Sequence, residues 1–185
     1  MDARIPLPDS TELSEETAQL VALTAPPGRE PARTMAMLAH QPDLLAPFLT
    51  WAAALALNGR LSHRDHELLA LRTAWKCASE FEWMEHAQYA RAAGVTDDEI
   101  ARLGAPFDES AWPSHEAALL RASDELCEQH GISDATWNVL AARYDHAALV
   151  EIPLVVGQYA MLSMMANSLG IPGDAGGTPL PRRDV

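Results

Sequence analysis

Between Pro42 and Gly59 the apolar residues Leu44, Leu45, Phe48, Leu49, Ala52, Leu55 and Ala56 recur at intervals of three and four. That is the period of one face of an α-helix, so it sets both the element and the side that turns inward. The segment is expected to be an amphipathic helix with this face buried, closing at Asn58-Gly59. Helical spacing returns in Leu68, Leu69, Leu71, Ala74 and Trp75, and helices are expected again over 114–129, 135–143 and 147–169. No stretch alternates with period two on β-branched residues, and the alanine and leucine content favours helix, so the chain is predicted to be all-α.

Side chains that cap helices mark the boundaries. Ser14, followed by Glu15 and Glu16, suits the start of a short helix among Pro6, Pro8, Pro26, Pro27 and Pro31. Ser62 opens the helix carrying Leu68, which either continues or restarts near Ser79 and runs to Gly94. Thr96-Asp97-Asp98-Glu99 is a capping box for a short helix through Leu103, and a loop follows from Pro106 to Pro113. Ser133 caps the next helix, and Gly170 and Pro172 close the last, in which Pro153 lies near the start. These signals divide the chain into an N-terminal extension (1–30), a helical domain (31–172) and a Gly/Pro-rich tail (173–185) expected to be mobile or draped on a neighbour.

With 185 residues and 48% hydrophobic content, the chain can bury one substantial core. Its net charge of -13 argues against a nucleic-acid or anionic-membrane partner, both of which call for clustered Lys and Arg. Leu44–Leu57 is short for a membrane span, and Ala147–Leu169 is interrupted by Glu151, Pro153, Gln158 and Asn167. The start of the chain lacks the apolar core of a signal peptide, so the expected location is the cytoplasm.

Glycine-rich phosphate loops, a Gly-x-Ser-x-Gly elbow, a zinc-binding HExxH and a CxxC pair are all missing. What remains is Glu67 together with the run Glu80, Glu82, Glu85 and His86, with Trp83 and Tyr89 alongside. Glu82 and His86 stand four residues apart on one helical face and can share a proton. The plainer readings are a solvated Glu82–His86 pair, a Glu67 that serves the first turn of its helix, and packing roles for Trp83 and Tyr159. His63, His66, His115, His130 and His146 show no metal-ligand spacing, and no metal is expected. Cys77 and Cys127 lie far apart in sequence, with no second cysteine near either. Inert buried thiols are the simple reading, and a reactive Cys77 or a disulfide are the alternatives.

The order Leu61-Ser62-His63-Arg64-Asp65-His66-Glu67-Leu68-Leu69, then Ser79-Glu80-Phe81-Glu82-Trp83-Met84-Glu85-His86, then Ala93-Gly94-Val95-Thr96-Asp97-Asp98-Glu99-Ile100 resembles the carboxymuconolactone decarboxylase family, which includes the AhpD-like alkylhydroperoxidases. Leu120–Leu126, Ile132–Trp137 and Val156–Tyr159 resemble its long form. The resemblance implies an all-helical fold of intertwined helices, assembly into homo-oligomers (dimer, trimer or hexamer), and a site near a subunit contact. It places Glu67 on the family's proton-relay glutamate and His86 on its active-site histidine. Where the peroxidases carry Cys-x-x-Cys, this chain has Ser79 and Glu82, which cannot form a disulfide. The decarboxylase branch instead has an acid four residues before the histidine, as Glu82 precedes His86.

The resemblance therefore implies a cofactor-independent lyase or isomerase acting on a small carbonyl or lactone acid, with Glu67, Glu82 and His86 moving protons. Arg72 or Arg33 would grip a substrate carboxylate, and Trp83 and Tyr159 would bind the substrate. A peroxidase using Cys77 and a non-catalytic ligand-binding oligomer are the competing readings.

Overall fold

A computed structural model describes residues 3–25, 30–173 and 176–182. Among these it contains nine α-helices and no strand: α1 (Glu15–Ala22), α2 (Arg33–Leu38), α3 (Pro42–Asn58), α4 (His63–Lys76), α5 (Glu80–Ala92), α6 (Asp97–Leu103), α7 (Ser114–Gln129), α8 (Asp134–Ala141) and α9 (His146–Leu169). The chain is all-α, as its periodicity predicts.

Most boundaries follow the capping logic. The side chains of Ser14, Ser62, Ser79, Thr96, Ser133 and Asp145 each accept a hydrogen bond from a backbone N–H three residues ahead, which satisfies a donor the first helical turn leaves open. Thr96 and Glu99 form the full reciprocal box. Gly170, at φ 66°, ends α9 in the left-handed conformation that glycine adopts without a Cβ clash. The segment around Ser79 restarts rather than continues, because Cys77 caps α4 and Ala78 turns the chain at φ 51°.

Helix α4 is the axis of the molecule. Leu68, Leu69, Ala70, Leu71, Thr73 and Ala74 are fully buried, so this helix is enclosed on every side, packed by α5, α7 and α9. Leu69 and Ala70 join a cluster with Leu119, Ile152 and Val155 on one flank. Leu68 and Leu71 join Trp83, Ile100 and Trp112 on the other. Helix α9 has the length and composition of a membrane span, yet 56% of its most apolar window is buried inside this fold, as in the core helix of a folded domain.

The structure corrects the expectation for α3 and adds detail on α2 and the two ends of the chain. The apolar face of α3 is not sealed in the core: only Leu45 and Leu55 are buried, Leu44, Trp51 and Leu57 are exposed, and Phe48, Leu49, Ala52 and Ala56 wall a cavity. Helix α2 was not legible because its six residues carry no side-chain cap. The described part of the tail lies on its own chain, with Leu180 packed on the Trp83 cluster and Thr178 Oγ1 accepting from Arg91 Nη2 at 2.9 Å. Pro181 lies so close to Gly104 that a Cβ there would meet its Cγ at 2.3 Å. The N-terminal extension is likewise tied in, since Arg4 N donates to the Leu169 carbonyl at 2.8 Å. Pro26 and Pro27 lie outside the described residues.

Candidate active site

The Ser62 and Ser79 caps start the two helices that face each other across the short turn at 77–79. Glu67 stands early in α4 and His86 midway along α5, and the helix pair brings Glu67 Oε2 to 2.7 Å from His86 Nδ1. One turn back along α5, Glu82 Oε2 lies 3.7 Å from His86 Nε2. The imidazole is thus held between two carboxylates, one on each ring nitrogen. From α9, the Tyr159 ring meets His86 edge-on with centroids 4.3 Å apart, and its hydroxyl shares a 2.7 Å hydrogen bond with His66 Nε2. Glu67, Glu82, His86 and Tyr159 all line one cavity of about 840 Å³.

Burial and neighbouring charge set the protonation of these groups. Burial pushes Glu82 up to about 7; the nearby His86 opposes this and Glu85 adds to it. Burial by itself would lower His86, but the charge and hydrogen bond of Glu67, helped by Glu82, outweigh it and raise the imidazole above its usual range. His66 has no comparable partner, and burial takes it down to about 4. Burial likewise raises Tyr159 well above the ordinary phenol range, so its hydroxyl keeps its proton. The arrangement is a His86 whose charged form the Glu67 contact favours, beside a Glu82 that titrates near neutrality. Glu82 Oε1 is buried and makes no hydrogen bond to any described residue.

Of the residues proposed to bind substrate, only Tyr159 reaches the cavity. Arg72 is buried, with Nε and Nη2 each 2.6 Å from the Asp124 carboxylate and Nη1 donating to the Leu103 and Ala105 carbonyls. Its guanidinium is consumed in tying α4 to α7 and to the end of α6, so the expected carboxylate grip does not come from it. Trp83 points to the opposite flank of α5, fully buried with Leu68 and Leu71, and is a packing residue. Arg33, at the start of α2, does not line the cavity either. No Lys or Arg occurs among the described residues that line it.

Sequence reasoning weighed His66 only as a metal ligand and missed its bond to Tyr159. It also missed Gln158, which lines the cavity and accepts from Trp51 Nε1 at 2.8 Å. Both links join residues about a hundred positions apart, which no local spacing reveals. Among the described residues, Asp65, His115 and Glu116 form the one set that could hold a metal ion. Arg64 already offsets the charge of Glu116 at 2.8 Å, and the set lies away from the cavity.

The pair that carries this site, Glu67 on α4 and His86 on α5, falls within residues 42–124, which match the carboxymuconolactone decarboxylase family. The match runs from the start of α3 into α7. The fold of the chain is AhpD-like. An uncharacterized peroxidase-related protein with an alkylhydroperoxidase AhpD core from Ralstonia eutropha JMP134 superposes with a TM-score of 0.82 at 18% identity, covering 94% of this chain and 93% of that one. A peroxidase-related protein from Silicibacter sp. TM1040 gives 0.77 at 17% identity, covering 93% and 91%. A protein of unknown function from Agrobacterium tumefaciens gives 0.68 at 18%, covering 75% and 95%. No curated protein sequence matches the chain. In the matched stretch a carboxylate, Glu82, faces the histidine.

Proposed function

We propose that the protein is a cofactor-independent proton-transfer enzyme of the lyase or isomerase type, acting on a small carbonyl or lactone compound in the cavity beside His86. The observation that carries this reading is the buried Glu82 carboxyl, titrating near neutrality with one oxygen unpartnered among the described residues at the cavity wall. Such a group serves as acid or base at neutral pH, where an ordinary surface carboxylate is too weak a base.

In this reading the substrate carbonyl lies against the His86 imidazolium, whose Nε2–H stabilises negative charge developing on oxygen while Glu67 holds Nδ1. Glu82 then takes a proton from the adjacent carbon, or delivers one to it after a carboxylate leaves as carbon dioxide. No electron acceptor is needed, since the electron pair stays on the substrate. The lining favours a largely apolar ligand with one polar end. Without a Lys or Arg from the described lining, a substrate carboxylate would face only His86 as a cation.

Assembly into a homo-oligomer and a cytoplasmic location remain part of this proposal. The apolar residues Leu23, Leu44, Trp51 and Leu57, exposed around the cavity side, support assembly. Sedimentation of the purified chain as a monomer at micromolar concentration would remove it.

The test is to incubate the protein in deuterated water with a panel of small keto acids, lactones and their carboxylated forms, following deuterium uptake and carbon dioxide release. Turnover that is lost in folded Glu82→Gln and His86→Gln proteins supports the reading. Binding without exchange or release places the protein among non-catalytic ligand carriers.

A further inference from the structure

Gln158 stands on α9 one residue before Tyr159 and lines the His86 cavity, although the residue is only 6% exposed. Its Oε1 accepts from Trp51 Nε1 of α3 at 2.8 Å. An indole N–H only donates, so the amide fits there one way round, with oxygen toward Trp51 and nitrogen away from it. Among the described residues nothing accepts from that nitrogen. Two N–H donors are thus left uncommitted at the cavity wall, a costly arrangement unless a ligand supplies the acceptor. Trp51 does not line the cavity and its ring is half-exposed, so what it contributes inward is this one hydrogen bond.

We propose that Gln158, oriented by Trp51, holds a neutral oxygen of the ligand, and that the ligand is an uncharged ketone or lactone bearing an alkyl or aryl body. The assignment rests on the reading of this cavity as the substrate site, and it names the class of compound the site takes. Gln158 is the binding residue and Trp51 a positioning residue.

Charge and shape both favour that class. An amide N–H serves a neutral acceptor and brings no positive charge to offset a carboxylate. Glu67, Glu82 and Glu85 line the cavity, and among the described residues no Lys or Arg does, so a ligand with its own carboxylate would enter among like groups. The volume of about 840 Å³ lies toward the top of the range of about 300–1,000 Å³ usual for small-molecule pockets. Its walls from α1, α2 and α3 are apolar, with Leu20, Met35 and Phe48 among them. A bare keto acid would leave most of this space unfilled, whereas an alkyl or aryl group fills it and gains by leaving water.

The experiment measures binding of butyrophenone, butylbenzene and 4-phenylbutyrate to the full-length protein by equilibrium dialysis. The first two share a skeleton and differ only in a carbonyl for a methylene; the third carries a carboxylate on the same number of carbons. Wild-type protein should retain both neutral compounds and bind 4-phenylbutyrate at least about tenfold more weakly than butyrophenone. Gln158→Leu should weaken butyrophenone by about tenfold, the loss of one ligand hydrogen bond, and leave butylbenzene bound as well or better. Trp51→Phe frees the amide to turn and should weaken butyrophenone by about threefold while sparing butylbenzene. Because Trp51 is half-exposed, that variant still decides if Gln158→Leu does not fold. Equal losses for the two neutral compounds, an unchanged butyrophenone affinity, 4-phenylbutyrate bound as tightly as the ketone, or no retention of either neutral compound would each overturn the proposal. Dialysis needs no turnover. Selective retention of butyrophenone by a protein that catalyses no exchange removes proton transfer and keeps the Gln158 assignment, whereas exchange on small keto acids without retention of butyrophenone removes the Gln158 assignment alone.

Discussion

The Tyr159 ring packs edge-on against the His86 imidazole, 4.3 Å between centroids, and the same tyrosine anchors its hydroxyl on His66 at 2.7 Å. His86 is held by its hydrogen bond to Glu67 on one side and by the Tyr159 ring on another. Tyr159→Phe keeps the ring and loses only the anchor, so turnover should fall by up to about tenfold, the worth of one ordinary hydrogen bond. Tyr159→Ala should cost considerably more. Comparing kcat/KM for the two variants on whichever carbonyl substrate is found checks this ordering.

Glu82 ties stability to pH. Its folded value of about 7 lies above the ordinary 4.5, so the folded state binds the extra proton between those values. Its contribution is fully present below pH 4.5 and is lost as pH rises through about 7, a change on the order of 3 kcal/mol. Glu82→Gln carries no charge to bury, and its stability should decline less over this range. Urea unfolding of both proteins at pH 5 and pH 8 measures the difference; equal declines would contradict the buried carboxylate. In activity, the limb that needs ionised Glu82 should rise near pH 7 and be absent from the glutamine variant.

Arg72 is expected to act on stability and not on the substrate. Arg72→Lys cannot reproduce the two-pronged contact with Asp124 or reach both the Leu103 and Ala105 carbonyls. Loss of the buried pair should destabilise the fold by about 3 kcal/mol or more, with KM of the remaining folded protein unchanged. A raised KM at unaltered unfolding midpoint would restore the substrate-binding role.

The joint between α3 and α4 depends on Glu151, whose Oε2 accepts from the backbone N–H groups of Arg60 and Leu61. Glu151→Ala leaves both donors without that acceptor and should cost about 2 kcal/mol in chemical denaturation. Gly59→Ala should be similarly harmful, because the added Cβ would meet Glu151 Oε1 at 2.1 Å and the Leu55 carbonyl at 2.9 Å.

What could be read in the sequence was local. Ser62, Thr96 and Ser133 announce their helices because a cap and its donor lie three residues apart. Glu82 and His86 were placed on one face for the same reason. Arg72 misled because a lone arginine beside an acidic helix looks the same whether it meets a ligand or Asp124, fifty-two positions later. That Cys77 and Cys127 line one pocket is set by how α4 and α7 pack, and α3 presents the apolar stripe of a buried helix even though part of that stripe faces a cavity.

The groups that would move protons sit on α4, α5 and α9, whereas Leu20 of α1, Met35 of α2 and Phe48 of α3 form the opposite wall of the same cavity. Reactivity and selectivity are therefore written in different stretches of the polypeptide. Substitutions confined to the first sixty residues could redirect the protein to a ligand of another shape while leaving the Glu67–His86–Glu82 array intact.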